Sequence, residues 1–193
     1  MRGEKEMIEL IKATALGDDN IRAAYLEGSR ANPSVSRDIF QDYDVVYIVK
    51  DTKPYRENRA WIDRFGERLY MQYPEENAEY PCDVENCYGW LMQLADGNRL
   101  DLHVCTEPYA LSRLELYEAL VDKDKIMPEE RNDNVKRYWI SRPREKRFQD
   151  VCNEFWWCMN NVAKGLWREE LPYVLDVTDF HVRPMLKQTL EWK

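Results

Sequence analysis

Hydrophobic positions along the chain follow two rhythms, one mixed and one helical, that change over near residue 144. Residues 4–16 place Met7, Ile8, Ile11 and Leu16 at helical spacing, and Gly17 follows where a helix would end. Residues 21–27 read as a short strand, and Gly28-Ser29 as a turn. Residues 30–34 then open a short helix that stops near Pro33, and a polar loop is expected over 33–42. Val45–Lys50 (VVYIVK) is an unbroken, largely β-branched run, the pattern of a strand buried on both faces.

Trp61, Phe65 and Leu69 recur at i, i+4 and i+8, which predicts a helix over 56–71. Residues 73–86 are acidic, carry Pro74 and Pro81, and read as a loop. Two apolar runs, Tyr88–Leu94 and Leu100–Cys105, flank ADGNR, whose Asp96-Gly97 pair signals a hairpin. A helix is expected over 107–121 and a short edge strand over 123–127. Residues 128–143 are polar, begin and end on proline, and read as a linker. Beyond it, Phe148, Val151, Phe155, Met159 and Val162 share one helix face, and a last helix is expected over roughly 173–191 despite Pro184. The implied fold class is α+β: a mixed sheet flanked by helices over residues 1–140, followed by a helical region over 141–193.

Composition narrows the partners. The 193 residues suffice for one sizeable core, or one domain and the start of a second. A formal net charge of −8, with no basic run, argues against nucleic acid, because phosphate contacts supply most of that affinity. An acidic protein suits a cationic ligand, although acidity also simply favours solubility. Five cysteines occur, at 82, 87, 105, 152 and 158, with no CxxC pair and only His103 and His181 beside them. This spacing argues against a zinc site and reads as reduced, mostly buried thiols of a cytoplasmic protein. Trp156 and Trp157 read as core rather than as a ligand platform. The amino terminus reads as an amphipathic helix rather than a signal peptide, and no apolar run approaches the ~18 residues of a membrane span.

The chemistry concentrates at Gly28-Ser29, Asp42-Tyr43-Asp44 and Asp101. Alternate strand residues project to one face, so Asp42 and Asp44 point the same way at the entrance to the VVYIV strand. Asp101 lies in the second arm of the hairpin, and joins them if that arm pairs beside residues 44–50. Three clustered carboxylates raise one another's pKa and call for a cation, and hard oxygen ligands suit Mg²⁺. Glycine lets the backbone approach a phosphate, Ser29 adds a hydroxyl and Arg30 a fixed cation. Each piece alone is weak: glycine-serine turns are common, and a DxD is usually a solvated turn, as Asp122-Lys123-Asp124 is read here. A dehalogenase-type phosphatase also uses a DxD, but there the apolar strand precedes it, and here the strand follows.

The glycine-serine turn, the DxD and the hydrophobic strand after it resemble the DNA polymerase β-like nucleotidyltransferase superfamily. The strings LEGSRAN (26–32), FQDYD (40–44), RLDLHV (99–104), VDKD (121–124), RPREKRFQDVCNEFWW (142–157) and VAKGLWREELPYVLD (162–176) resemble the aminoglycoside 6-adenylyltransferases, which adenylylate streptomycin. The resemblance implies an enzyme that transfers AMP from ATP to a hydroxyl of a cationic aminoglycoside, conferring antibiotic resistance. It implies Asp42 and Asp44 as Mg²⁺ ligands, with Asp101 as the third carboxylate, either a ligand or a base. Gly28, Ser29 and Arg30 would hold the triphosphate, with Lys164 as a second phosphate contact, and Glu154 and Asp176 would face the antibiotic. A monomer or weak homodimer is expected, with neither nucleic acid nor membrane as partner. Members of the family carry a longer helical region, so the acceptor half is expected to be shortened. The alternative is a nucleotide-binding module or truncated nucleotidyltransferase without aminoglycoside activity.

Overall fold

The computed structural model describes residues 1–79, 82–128 and 140–192. The chain divides into two compact units, Met1–Val135 and Lys136–Lys193. Most of the expected linker, residues 129–139, lies outside the described residues, as does Pro81 of the expected acidic loop.

The first unit runs α1 (Glu4–Leu16), β1 (Ile21–Glu27), α2 (Gly28–Ala31), β2 (Tyr43–Val49), α3 (Lys53–Glu57), β3 (Arg68–Gln72), β4 (Cys87–Leu94), β5 (Arg99–Thr106), α4 (Glu107–Ser112) and β6 (Glu118–Asp122). Its six strands form one sheet in the order β3-β4-β5-β2-β1-β6. Only β2 and β5 run parallel, so the sheet is mixed and the class is α+β.

Side-chain alternation gives this sheet two unlike faces. On one, Tyr43, Val45, Tyr47 and Val49 of β2 and Leu100, Leu102 and Val104 of β5 join Met7 and Ile11 of α1, Trp61 and Phe65 in the larger core. The Tyr47 hydroxyl donates to the Ile11 carbonyl at 2.8 Å and ties that helix down. On the other face Val46 and Ile48 pack with Ala23, Tyr25, Cys87, Cys105 and Ala110 in a smaller core. Both sides of β2 are thus apolar at its carboxyl end, which is why VVYIV reads as an unbroken run. The smaller core stops short of the amino end of β2, and there the same face carries carboxylates.

Two predicted helices break differently. Over 56–71 the chain makes α3 and then a 3₁₀ turn, Arg59–Phe65, before Gly66 at φ 116° redirects it into β3. Trp61 and Phe65 are buried as the spacing requires, but Leu69 is 66% exposed on an edge strand. The i, i+4 pattern needed only one tight coil, and the backbone of 68–72 finds its hydrogen bonds on β4 instead. Over 107–121 the helix ends at Ser112, and Glu118–Asp122 pairs with the outer edge of β1. The edge strand therefore comes before 123–127, because Asp122 turns the chain by accepting the N–H groups of Ile126 and Met127, each at 3.0 Å.

The second unit runs α5 (Glu145–Trp167), α6 (Leu171–Val177), a π-helical turn (Thr178–Val182) and α7 (Arg183–Glu191). Pro184 falls in the first turn of α7, directly after the π-helical turn, within a run of helical backbone that passes from α6 through Thr178–Val182 into α7. Cys158, Val177 and Val182 form the small core, with Phe155 and Val162 packed against it. Phe148 and Met159, expected on the same face, are 44% and 36% exposed. Trp156 and Trp157, read as core from the sequence, are 68% and 70% exposed. The buried positions of α5 are Val151, Cys158 and Gly165, a heptad seam that neither tryptophan lies on. Among the described residues, no helix is long and apolar enough to cross a membrane.

Candidate active site

β2 and β5 create the site by their register. Asp42 precedes β2 and Asp44 lies in it, two residues apart and so on one face. In the parallel ladder Asp44 stands opposite Asp101. One carboxylate oxygen from each of Asp42, Asp44 and Asp101 lies within 4.8 Å of the others. Asp101 is only 9% exposed. Burial, followed by repulsion from Asp42, Asp101 and Glu27, pushes the Asp44 carboxyl from its ordinary 3.8 up to about 6. Glu27, opposite Asp44 on β1, is itself pushed up by burial.

The glycine-serine turn rests directly on this cluster. Gly28 has φ 66°, and a Cβ there would lie 2.1 Å from Asp44 Oδ2. Only glycine satisfies both conditions. Ser29 follows, half-buried, at the start of α2.

Arg30 turns inward. Its Nε–H donates to the Asp42 carbonyl at 2.8 Å and its Nη2–H to the Gln41 carbonyl at 2.9 Å. The guanidinium also pairs with Glu4 at 3.4 Å and stacks 3.8 Å over the Tyr43 ring. At 8% exposure it clamps the loop that leads through Asp42 into β2. Arg30 also lines the cleft beside the carboxylates.

Arg99 is a site residue that the sequence reading missed. It donates to both Asp101 oxygens, at 3.0 and 2.6 Å, and stands 3.6 Å from Asp42. The hydrogen bonds and charge of Asp101 raise its pKa further above the usual arginine range. Its side chain is 52% exposed, so it lies over the carboxylates from the solvent side. The signal was its position two residues before Asp101 on one strand, which puts both on the same face. Beside it opens a cleft of about 430 Å³ lined by Arg2, Arg30, Arg37, Tyr43 and Arg99.

The donor set fits a hard divalent cation. Three convergent carboxylates offer only oxygen, and burial together with repulsion from its neighbours holds the Asp44 carboxyl up even with Arg99 beside the cluster.

The remaining expected residues belong to the second unit. Lys164 is exposed and lines a groove with Trp157, Asn161, Trp167 and Arg168. Glu154 is exposed and accepts a hydrogen bond from the Cys158 thiol at 3.3 Å. Asp176 is exposed on α6. The first unit thus gathers Gly28, Asp42, Asp44 and Asp101 at one place, with Ser29 in the adjoining turn and Arg30 beneath the loop.

With this geometry in view, the family model described as streptomycin adenylyltransferase matches residues 1–193. The chain belongs to the streptomycin adenylyltransferase family. Three curated relatives are named aminoglycoside 6-adenylyltransferase. The Bacillus subtilis protein is 38% identical over all of this chain and 69% of its own length. The Staphylococcus aureus protein is 35% identical, with 70% of its length covered. The Campylobacter jejuni protein is 34% identical, with 67% covered. A crystal structure of an aminoglycoside 6-adenyltransferase from Bacillus subtilis aligns with the whole chain and 67% of its own, at TM-score 0.53 and 35% identity. Membership in the streptomycin adenylyltransferase family agrees with the α+β class and with an adenylyltransferase reading of the carboxylate site.

Proposed function

We propose that this chain transfers AMP from ATP to a hydroxyl of a streptomycin-like aminoglycoside, in a reaction that depends on Mg²⁺. The observation that carries the reading is the register of Asp44 against Asp101, with Asp42 on the same face. Binding alone does not require three clustered carboxylates.

Asp42, Asp44 and Asp101 are the residues that would hold Mg²⁺. Bound there, the ion supplies charge neutralisation to the triphosphate and to the developing charge of the displacement. Gly28 leaves the backbone open to close approach, and Ser29 offers its hydroxyl to a phosphate oxygen. Arg30 keeps Asp42 in place through the backbone carbonyls it binds. The family resemblance offers Lys164 as a phosphate contact, and Glu154 and Asp176 as carboxylates for the cationic acceptor. In the chemical step a carboxylate, Asp101 or one from the helical unit, accepts the proton of the acceptor hydroxyl. The freed oxygen bonds to the α-phosphorus as the bond to the bridging oxygen breaks, and pyrophosphate leaves with that electron pair. The net charge of −8 on the whole chain favours the approach of a polycationic acceptor.

The acceptor is tested by incubating the protein with ATP, Mg²⁺ and streptomycin and weighing the antibiotic by mass spectrometry. A mass increase of one adenylyl group is expected. An unmodified streptomycin beside an adenylylated aminoglycoside of another class would overturn the acceptor assignment.

A further inference from the structure

β4 and β5 carry a second cluster, on the same face as the aspartates but beyond them. Cys87 and Cys105 stand opposite each other in the antiparallel ladder, and His103 stands opposite Gly89. The turn Pro74–Glu76 lays Glu75 against them. Its carboxylate is held by the Gly89 N–H at 2.8 Å. The other close approaches are His103 Nε2 to Glu75 Oε1 at 3.4 Å, Cys87 Sγ to Glu75 Oε1 at 3.9 Å and Cys105 Sγ to Cys87 Sγ at 3.3 Å.

Three properties set this group apart from an ordinary buried pair. First, its chemistry is carboxylate, imidazole and thiol together, the donors of a borderline-soft divalent ion. Second, it is enclosed: the Glu75 side chain is 6% exposed and that of His103 26%, and Cys87 and Cys105 are 7% and 4% exposed. Third, its spacing suits a tetrahedral ion. Metal–ligand bonds of about 2.0–2.3 Å place tetrahedral donors roughly 3.3–3.8 Å apart. The His103–Glu75 and Cys87–Glu75 approaches of 3.4 and 3.9 Å fall close to that range, and one ligand atom from each of the three residues lies within 4.8 Å of the others. Room for the imidazole depends on Gly89, where a Cβ would lie 2.4 Å from His103 Cδ2.

We propose that Glu75, Cys87 and His103, with Cys105 beside them, bind a zinc-class divalent ion that pins the Pro74–Glu76 turn to β4 and β5. Binding forms bonds from the ion to the carboxylate oxygen, to Nε2 and to the Cys87 thiolate, and the thiol proton passes to solvent. The ion is a structural one. It holds β5 two residues from Asp101, independently of whether the carboxylate site transfers AMP. Spacing along the chain hid the cluster, because its members lie on two strands and a turn rather than in a CxxC pair.

The test uses the full chain, freed of metal with a chelator and kept in excess Mg²⁺ so that the aspartates are occupied. Co²⁺ is titrated in as an optical probe, and Zn²⁺ is then added to displace it. One Co²⁺ per chain is expected, with the intense visible bands of a tetrahedral centre and a thiolate charge-transfer band, all abolished by Zn²⁺. Cys87→Ser and Glu75→Gln should each weaken Co²⁺ binding at least tenfold, with Cys87→Ser removing the charge-transfer band. Cys158→Ser, in the second unit's cluster with Glu154 and His181, should leave the spectrum unchanged. Saturating Zn²⁺ should raise the melting temperature of the unsubstituted protein by roughly 5 °C or more. A weak octahedral spectrum, a charge-transfer band lost in Cys158→Ser rather than in Cys87→Ser, or a Cys87–Cys105 disulfide in the purified protein would overturn the proposal.

Discussion

At the scale of single residues, Asp44 and Gly28 define the site between them. The Asp44 carboxyl titrates near 6 in the folded chain instead of its ordinary 3.8, because burial and neighbouring carboxylates oppose its charge. A carboxyl with a raised folded pKa binds its proton more tightly when folded, so ionising it destabilises the fold. That penalty is absent below 3.8, grows as pH rises, and is complete above about 6. The full shift would correspond to about 3 kcal/mol, which the partial exposure of the side chain reduces to about 1 kcal/mol. Asp44→Asn is therefore expected to raise the melting temperature of the metal-free protein by about 2–4 °C at pH 8, with the gain vanishing by pH 4. Melting curves across that range, recorded with a chelator present, check the prediction, and an equal gain at both ends would contradict it. Mg²⁺ should narrow the same gap at pH 8, since it compensates the charge that the substitution removes. Gly28→Ala is expected to leave the chain folded and to lower adenylyl transfer by about 100-fold, because the new Cβ displaces the Asp44 carboxylate. Steady-state rates at saturating ATP measure this directly.

At the scale of elements, the residues legible in the sequence were those whose neighbours repeat a local rule. The unbroken apolar run VVYIV marked the strand, the two-residue spacing of Asp42 and Asp44 put both on one face, and Asp96-Gly97 marked the hairpin that brings Asp101 into the sheet. The pairing of β5 beside β2 was open in the sequence, because a parallel register is set by contacts between distant segments. Leu69 misled for the same reason: its helical spacing from Trp61 and Phe65 is real, but the edge of β4 decided the conformation of 68–72. The charge of Arg30 was visible in the sequence, whereas its partners, two carbonyls of the facing loop, were not. In the second unit the AKGL segment has a packing role as well as a charged one. A Cβ on Gly165 would lie 2.6 Å from Val174 Cγ2 and 2.9 Å from the Tyr173 ring, so α6 lies against this point of α5. Gly165→Ala is expected to destabilise the chain by about 1–3 kcal/mol despite the better helix propensity of alanine. Urea unfolding of the full chain tests this, and a more stable variant would show that α6 does not depend on the close approach.

At the scale of the whole molecule, the first unit carries the carboxylate site and the helical second unit carries Lys164, Glu154 and Asp176. The family match extends over both, and the relatives are longer than this chain. If the three aspartates act through a divalent cation, pyrophosphate is released only when the cation and an acceptor are both present. Pyrophosphate release is best measured with ATP and streptomycin in four conditions: with Mg²⁺, with a chelator, without streptomycin, and with Asp44→Asn in place of the native chain. Release is expected in the first condition alone. Release at a near-native rate from Asp44→Asn, or in the presence of chelator, would contradict it.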